Sequence, residues 1–333
     1  MMNPWQRSGI VALAILATGA ARMPVEQWIT DEMRESGLLP RQLEVSTREK
    51  IGQTSAAVAL GGLRTLVATF LNLRAFGFFT EQRWANVDET YRLVVDLSPR
   101  TRYYWETASW HQAYNAASYY QNDSTLPALR RREAWRASIV RGREILEQGI
   151  NNNPDDGALH AQLGFLLRDP NKIGAFGDPE AAFLAASEAY ARAADRKGAA
   201  PAARRFQFYT LARVSGREAE ALALGRQLYE ESTMHHAPTL LCVLFALEAW
   251  ENPEIDHRNR AIQLFGSAEQ AVDHLGLYWQ RVRERFPVHG VARALEELDE
   301  KLGTPAAQRV LNQPLPRAYD PEDAFADRSR RGD

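Results

Sequence analysis

The richest chemistry in the chain lies in the stretch Tyr103-Tyr-Trp-Glu-Thr-Ala-Ser-Trp-His-Gln-Ala-Tyr-Asn-Ala-Ala-Ser-Tyr-Tyr120. Wound as a helix, it puts Tyr103, Trp110, Tyr114 and Ala117 on one face and Thr107, His111 and Asn115 on a polar stripe beside it. Aromatic rings next to an imidazole and an amide suit a peptide backbone or a sugar ring, because stacking supplies area and the polar groups supply orientation. The same residues also read as packing, with His111 and Asn115 satisfying buried backbone groups. Arg64, Asn72 and Arg74, one helix earlier, either complete a polar pocket or pair with acids. The candidate partner groove is therefore Trp110, His111, Tyr114, Asn115, Arg64, Asn72 and Arg74.

Proton-transfer chemistry has a thinner basis. His111 or a carboxylate such as Glu106 could serve it, and paired carboxylates about 5 to 9.5 Å apart would point to glycoside hydrolysis. Contiguous catalytic signatures are missing: the sequence has no phosphate-cradling Gly-rich loop, no His-Glu-x-x-His, no Gly-x-Ser-x-Gly and no acidic calcium loop. No catalytic residue, cofactor or metal site is expected. Adjacent His235 and His236 would point about 100° apart on a helix and so chelate one ion poorly; they read as a surface loop ahead of Pro238. His257 beside Asp256 reads as a turn residue. The single cysteine, Cys242, sits in the apolar run Thr239–Leu247 and reads as a small buried hydrophobe, with no disulfide possible.

Forty basic residues against 42 acidic ones leave a net charge of −2, so no global field draws the chain to nucleic acid. The locally basic run Arg130–Arg143 reads as a solvated helix face that snorkels around Trp135 and Ile139. A hydrophobic content of 45% with 25% charged residues describes a folded chain with a sizeable core.

The elements that position these residues read as helices throughout. From about residue 46 to 310 apolar residues recur at three-and-four spacing without convincing β-branched alternation, so the fold class is all-α. Prolines at 99, 154, 201, 238 and 287 each precede a new helix, at intervals of 37 to 55 residues. That is the rhythm of two-helix units with insertions. The segment His160-x-x-Leu163-Gly164-x-x-Leu167 resembles the first helix of a tetratricopeptide repeat, and Ala186-x-x-x-Tyr190-x-x-Ala193 resembles the second. Val87-x-x-x-Tyr91-x-x-Val94 repeats the second pattern. The resemblance implies a TPR-like helical-hairpin solenoid of about five helix pairs over residues 29–311. In such a solenoid the first helix of each pair lines the concave groove, and the aromatic helix 103–120 falls in that slot. Blocks at Leu60–Arg64, Leu71–Ala75, Trp110–Asn115, Leu163–Leu167 and Lys172–Gly174 also resemble a group of uncharacterised, membrane-anchored bacterial repeat proteins. That resemblance implies the same fold and anchoring, with no activity attached.

Residues 1–28 carry Arg7, then an uncharged stretch from Ser8 to Ala21, then Arg22. As a helix that stretch covers about 21 Å, short of the ~30 Å hydrocarbon core, so it reads as a secretory signal or a short anchor. The flanking charges place its start in the cytoplasm and export the body. A second apolar stretch, Ser55–Phe79, is long enough to span a membrane. It contains Arg64 and Arg74, each costing about 2.5–3.5 kcal/mol near a bilayer centre. It reads instead as a core helix or helix pair, with Ser46–Glu49 as a capping box. The loop Arg168–Glu180 exceeds a tight turn and reads as either a contact loop or a tolerated insertion. Residues 312–333 read as a mobile tail. Together these features predict a non-enzymatic protein- or peptide-binding scaffold at the inner membrane, its body facing the periplasm, in an envelope assembly or transport complex. Secretion after cleavage, a carbohydrate-binding protein or hydrolase, and a cytoplasmic regulatory repeat protein are the alternatives.

Overall fold

A computed structural model describes Trp28, residues 63–196, 198, 200, 202–316, and Phe325. The remainder of the expected anchor 1–28, the Ser46–Glu49 box and most of the expected tail lie outside the described residues. Among those described the fold is all-α, with no strand, and no helix is long and apolar enough to cross a membrane. The chain divides into two compact units, residues 1–104 and 105–333.

In the first unit, α1 (Arg64–Thr80) packs against α2 (Trp84–Leu97). α2 is amphipathic and buries Trp84, Val87, Tyr91 and Val94. α1 buries only Ala68 and Ala75, seven residues apart, whose small side chains let the partner helix come close. The Tyr91 hydroxyl donates to Asn72 Oδ1 at 2.9 Å across the pair. The other face of α1 departs from the core-helix expectation, since Leu66, Phe70, Leu73 and Phe76 are all more than half exposed. Among the described residues α1 packs on α2 alone, through its Ala68 and Ala75 face.

The second unit begins within a long helical run: α3 (Arg102–Trp110), a π-helical turn over His111–Ala116 and α4 (Ala117–Asn122). It lies against α5 (Ala128–Asn152) through two glycines. A Cβ on Gly142 would sit 2.6 Å from Ala113 Cβ, and one on Gly149 would sit 2.9 Å from Trp105 Cγ. Ser109 Oγ donates to the Gly142 carbonyl at 2.8 Å, tying the close approach.

The next helices are α6 (Gly157–Arg168), α7 (Pro179–Ala194), α8 (Ala203–Leu211) and α9 (Glu218–Glu231). Then follow α10 (Pro238–Glu251), α11 (His257–Phe265), α12 (Ala268–Val282) and α13 (Val291–Leu302). Each packs on its successor. Side-chain caps start several of them: Asp156 accepts from the Ala158 and Leu159 amides, Asp178 from Glu180, Asp256 from Asn259 and Ser267 from Gln270. Pro179 and Pro238 occupy first helical turns, where the missing N–H is no loss. Gly164 lies under the Tyr190 ring and Gly225 under Phe208, with virtual Cβ distances of 2.9 and 2.7 Å. α10 is apolar on all sides and buries every residue from Leu240 to Ala249, forming the centre of the core between α8 and α13. His257, expected in a turn, opens α11 and is buried under Gly290. A side chain on Gly290, at φ 69°, would collide with its ring.

Candidate functional site

The π-turn takes in three of the seven expected groove residues. The Ala117 amide bonds back to the Gln112 carbonyl, the five-residue spacing that widens a helix, and such turns recur at functional sites. Trp110, just before it, is 49% exposed and stacks on Tyr114 with ring centroids 4.1 Å apart and planes 17° from parallel. Tyr114 in turn faces Phe165 of α6 at 6.3 Å. The stack is edged by charge, for Lys172 Nζ lies 5.3 Å from the Tyr114 ring centre although the lysine is only 6% exposed. Burial lowers the pKa of that amine, partly offset by Asp169, while burial and then the Asp169 carboxylate push the Tyr114 phenol upward.

His111 and Asn115 meet, as their four-residue spacing requires, with Nδ1 and Nδ2 3.1 Å apart. Burial lowers the His111 pKa, so the imidazole is neutral near pH 7. In that state Nδ1 accepts from the Asn115 amide and Nε2 carries the proton.

Beside the stack is an open cavity of about 400 Å³, built wholly from the second unit. Four aromatic rings line it: Trp110, Phe165, Tyr190 and Phe206. Ala158, Ala161 and Ala203 supply a low floor, and Gln162 contributes an amide. Among the described residues no carboxylate, imidazole or amine lines it. Arg168 is not a lining residue; it stiffens the aromatic wall, donating Nε to the Tyr190 hydroxyl at 2.8 Å with its guanidinium 4.3 Å from the Phe206 ring centre. Such a space accepts an apolar or aromatic group and gives one amide for orientation, a binding arrangement.

The expected residues therefore divide. Trp110 lines the cavity, Tyr114 backs Trp110, and His111 with Asn115 pair on the same helical run. Arg64, Asn72 and Arg74 belong to the first unit, where Asn72 accepts from Tyr91 and Arg74 lies over Phe78 at 5.4 Å. Phe165, Tyr190, Phe206 and Gln162 are not among the groove residues expected from the sequence. A signal existed on α6: Ala158, Ala161, Gln162 and Phe165 share one helical face, about a third of a turn from the Leu159-Leu163-Leu166 core face.

His235 and His236 stand at a short loop, with the His236 ring stacked on Tyr229 at 4.3 Å. Among the described residues no cluster of histidine, cysteine or acidic side chains has the geometry to hold a metal ion. Comparison with protein-family models, with curated proteins and with solved structures gives no match.

Proposed function

We propose that this chain is a non-enzymatic scaffold, a TPR-like α-solenoid that holds a protein or peptide segment by placing an apolar or aromatic side chain of it in the Trp110–Phe206 cavity. The observation that carries the reading is the lining itself: four rings, a floor of alanines and one amide, with no carboxylate, imidazole or amine among the described lining residues. The repeat reading draws support from a glycine closed under an aromatic ring in each of two successive helix pairs, Gly164 of α6 under Tyr190 of α7 and, with the two helices exchanging roles, Gly225 of α9 under Phe208 of α8. Residues 1–28 tether or export the body across the inner membrane, where the partner belongs to an envelope assembly or transport complex.

Selection of a random displayed peptide library on the immobilised full-length chain tests the binding proposal. Enrichment of peptides with tryptophan or phenylalanine at one fixed position is expected, with Trp110→Ala weakening the winners at least about tenfold. Failure to enrich above an unrelated helical protein would refute it. Fractionation of cells expressing the full chain and one lacking residues 1–24 tests the location, with only the full chain expected in the membrane or periplasmic fraction.

A further inference from the structure

Phe325 lies far along the sequence from the cavity just described, and only 5% of it is exposed. Its ring meets Trp135 of α5 edge to face, with centroids 5.5 Å apart, and the Arg132 guanidinium carbon lies 5.6 Å from its centre. The surface that receives it is braced independently. Trp135 is buried in α5, and Gly174 leaves room beside its indole, where a Cβ would stand 3.9 Å from the ring. One helical step on, Arg136 Nε donates to the Ala175 carbonyl at 3.0 Å and pins the 3-10 turn Ile173–Phe176 against α5. The result is an aromatic socket with a basic rim, since Arg131, Arg132 and Arg136 fall within about 100° of Trp135 around α5, while Arg130 and the acid Glu133, paired at 3.0 Å, fall on the far side.

The residues around Phe325 have the opposite charge. Asp320, Glu322, Asp323 and Asp327 flank it, and no basic residue lies between 318 and 327. An aromatic anchor set among acids complements a buried indole set among arginines, because cation–π and edge contacts hold the ring while the charges fix which segment is accepted.

We infer that the acidic sequence carrying Phe325 acts as an intramolecular peptide ligand of this chain, with Phe325 as its anchor in the Trp135 socket. The socket recognises an acidic segment that carries one aromatic side chain. This goes beyond the Trp110–Phe206 reading and does not depend on it.

The test uses a fluorescein-labelled peptide of residues 317–333 and full-length chains, read by anisotropy. The Phe325→Ala chain, its socket emptied, binds the peptide saturably. The wild-type chain binds it at least about tenfold more weakly, because a tethered segment competes at an effective concentration in the millimolar range. Arg132→Glu added to the Phe325→Ala chain, or Phe325→Ala in the peptide, lowers binding at least about tenfold. Arg132 is exposed, so Arg132→Glu leaves the fold intact, and in the otherwise wild-type chain it speeds chymotryptic cleavage after Tyr319 several-fold. Equal affinity for the wild-type and Phe325→Ala chains, no binding to the latter, or unchanged cleavage would overturn the assignment. So would a wild-type dimer in sedimentation that Phe325→Ala dissociates, which would make a second copy the occupant.

Discussion

Replacing Gly142 with alanine drives one methyl carbon into the neighbouring helical run. The new Cβ would stand 2.6 Å from Ala113 Cβ, 3.0 Å from the Ala113 amide nitrogen and 3.0 Å from the Ser109 carbonyl oxygen. Comfortable carbon contacts lie near 3.5–4.0 Å, and two of these three atoms are backbone and cannot rotate aside, so the helices must part by about 1 Å. Overpacking of this kind costs about 1–3 kcal/mol. Stretching the Ser109–Gly142 hydrogen bond, now 2.8 Å, adds about 1 kcal/mol. Alanine recovers about 1 kcal/mol of helix propensity, leaving a net loss of about 1–3 kcal/mol. For a unit of this size that lowers the melting midpoint by roughly 2–12 °C. The comparison is Gly77→Ala on α1, where a Cβ meets no atom within 4 Å and the same propensity term is gained without a clash. Thermal melts followed by far-UV circular dichroism read both, and a Gly142→Ala chain that melts at or above wild type would refute the close-packed account of α3 and α5.

Burial pushes the Cys242 thiol up to about 12, so a thiol reagent at pH 8 should label the native chain hardly at all and the denatured chain fully; rapid native labelling would contradict the buried α10. Arg260 donates Nε and Nη2 to the two oxygens of Glu248 at 2.7 Å each in a largely buried fork. Glu248→Ala strands that guanidinium and should cost about 2–4 kcal/mol in urea unfolding, whereas a loss under 0.5 kcal/mol would mark the pair as an exposed one. Burial lowers the pKa of His160 and of His257 below the ordinary 6.5. The unfolded chain then binds more protons than the folded one, so stability is full above about pH 6.5 and falls as the pH drops toward the folded-state values. Urea midpoints at pH 7.5 and 5 should show that decline, and His257→Gln should flatten it; stability rising on acidification would reverse the sign.

Much of the helical framework was legible because its signals are local. Capping Asp156 and Asp178, and Pro179 and Pro238 at helix starts, fix their own backbone neighbourhood whatever packs outside it. The uniformly apolar run around Cys242 could only be interior. Other features depend on partners distant in sequence. The α1 stripe Leu66-Phe70-Leu73-Phe76 reads as core by composition, yet α1 meets α2 through Ala68 and Ala75 and the stripe stays more than half exposed. His257 reads as a turn residue because Asp256 is a cap, while its burial comes from the approach of Gly290, 33 residues later. The groove was half visible: the Trp110–Tyr114 stack follows from helical spacing, but the walls from Tyr190 and Phe206 arrive from other helices. The π-turn leaves no composition mark, since alanines flank it as they would an ordinary helix. Phe325 sits in a polar, proline-containing stretch that reads as mobile, and its place comes from Trp135 and Arg132 of α5.

On the proposed reading the Trp110–Phe206 cavity receives a side chain of the bound segment. Ala161→Trp fills that cavity from its floor without touching the Leu159-Leu163-Leu166 core face of α6. Titration of the library-selected aromatic peptide against the wild-type and Ala161→Trp chains, with matched far-UV spectra, measures it directly. Affinity weakened at least about tenfold by the substitution is expected, and equal affinity for the two chains would show that the segment binds elsewhere.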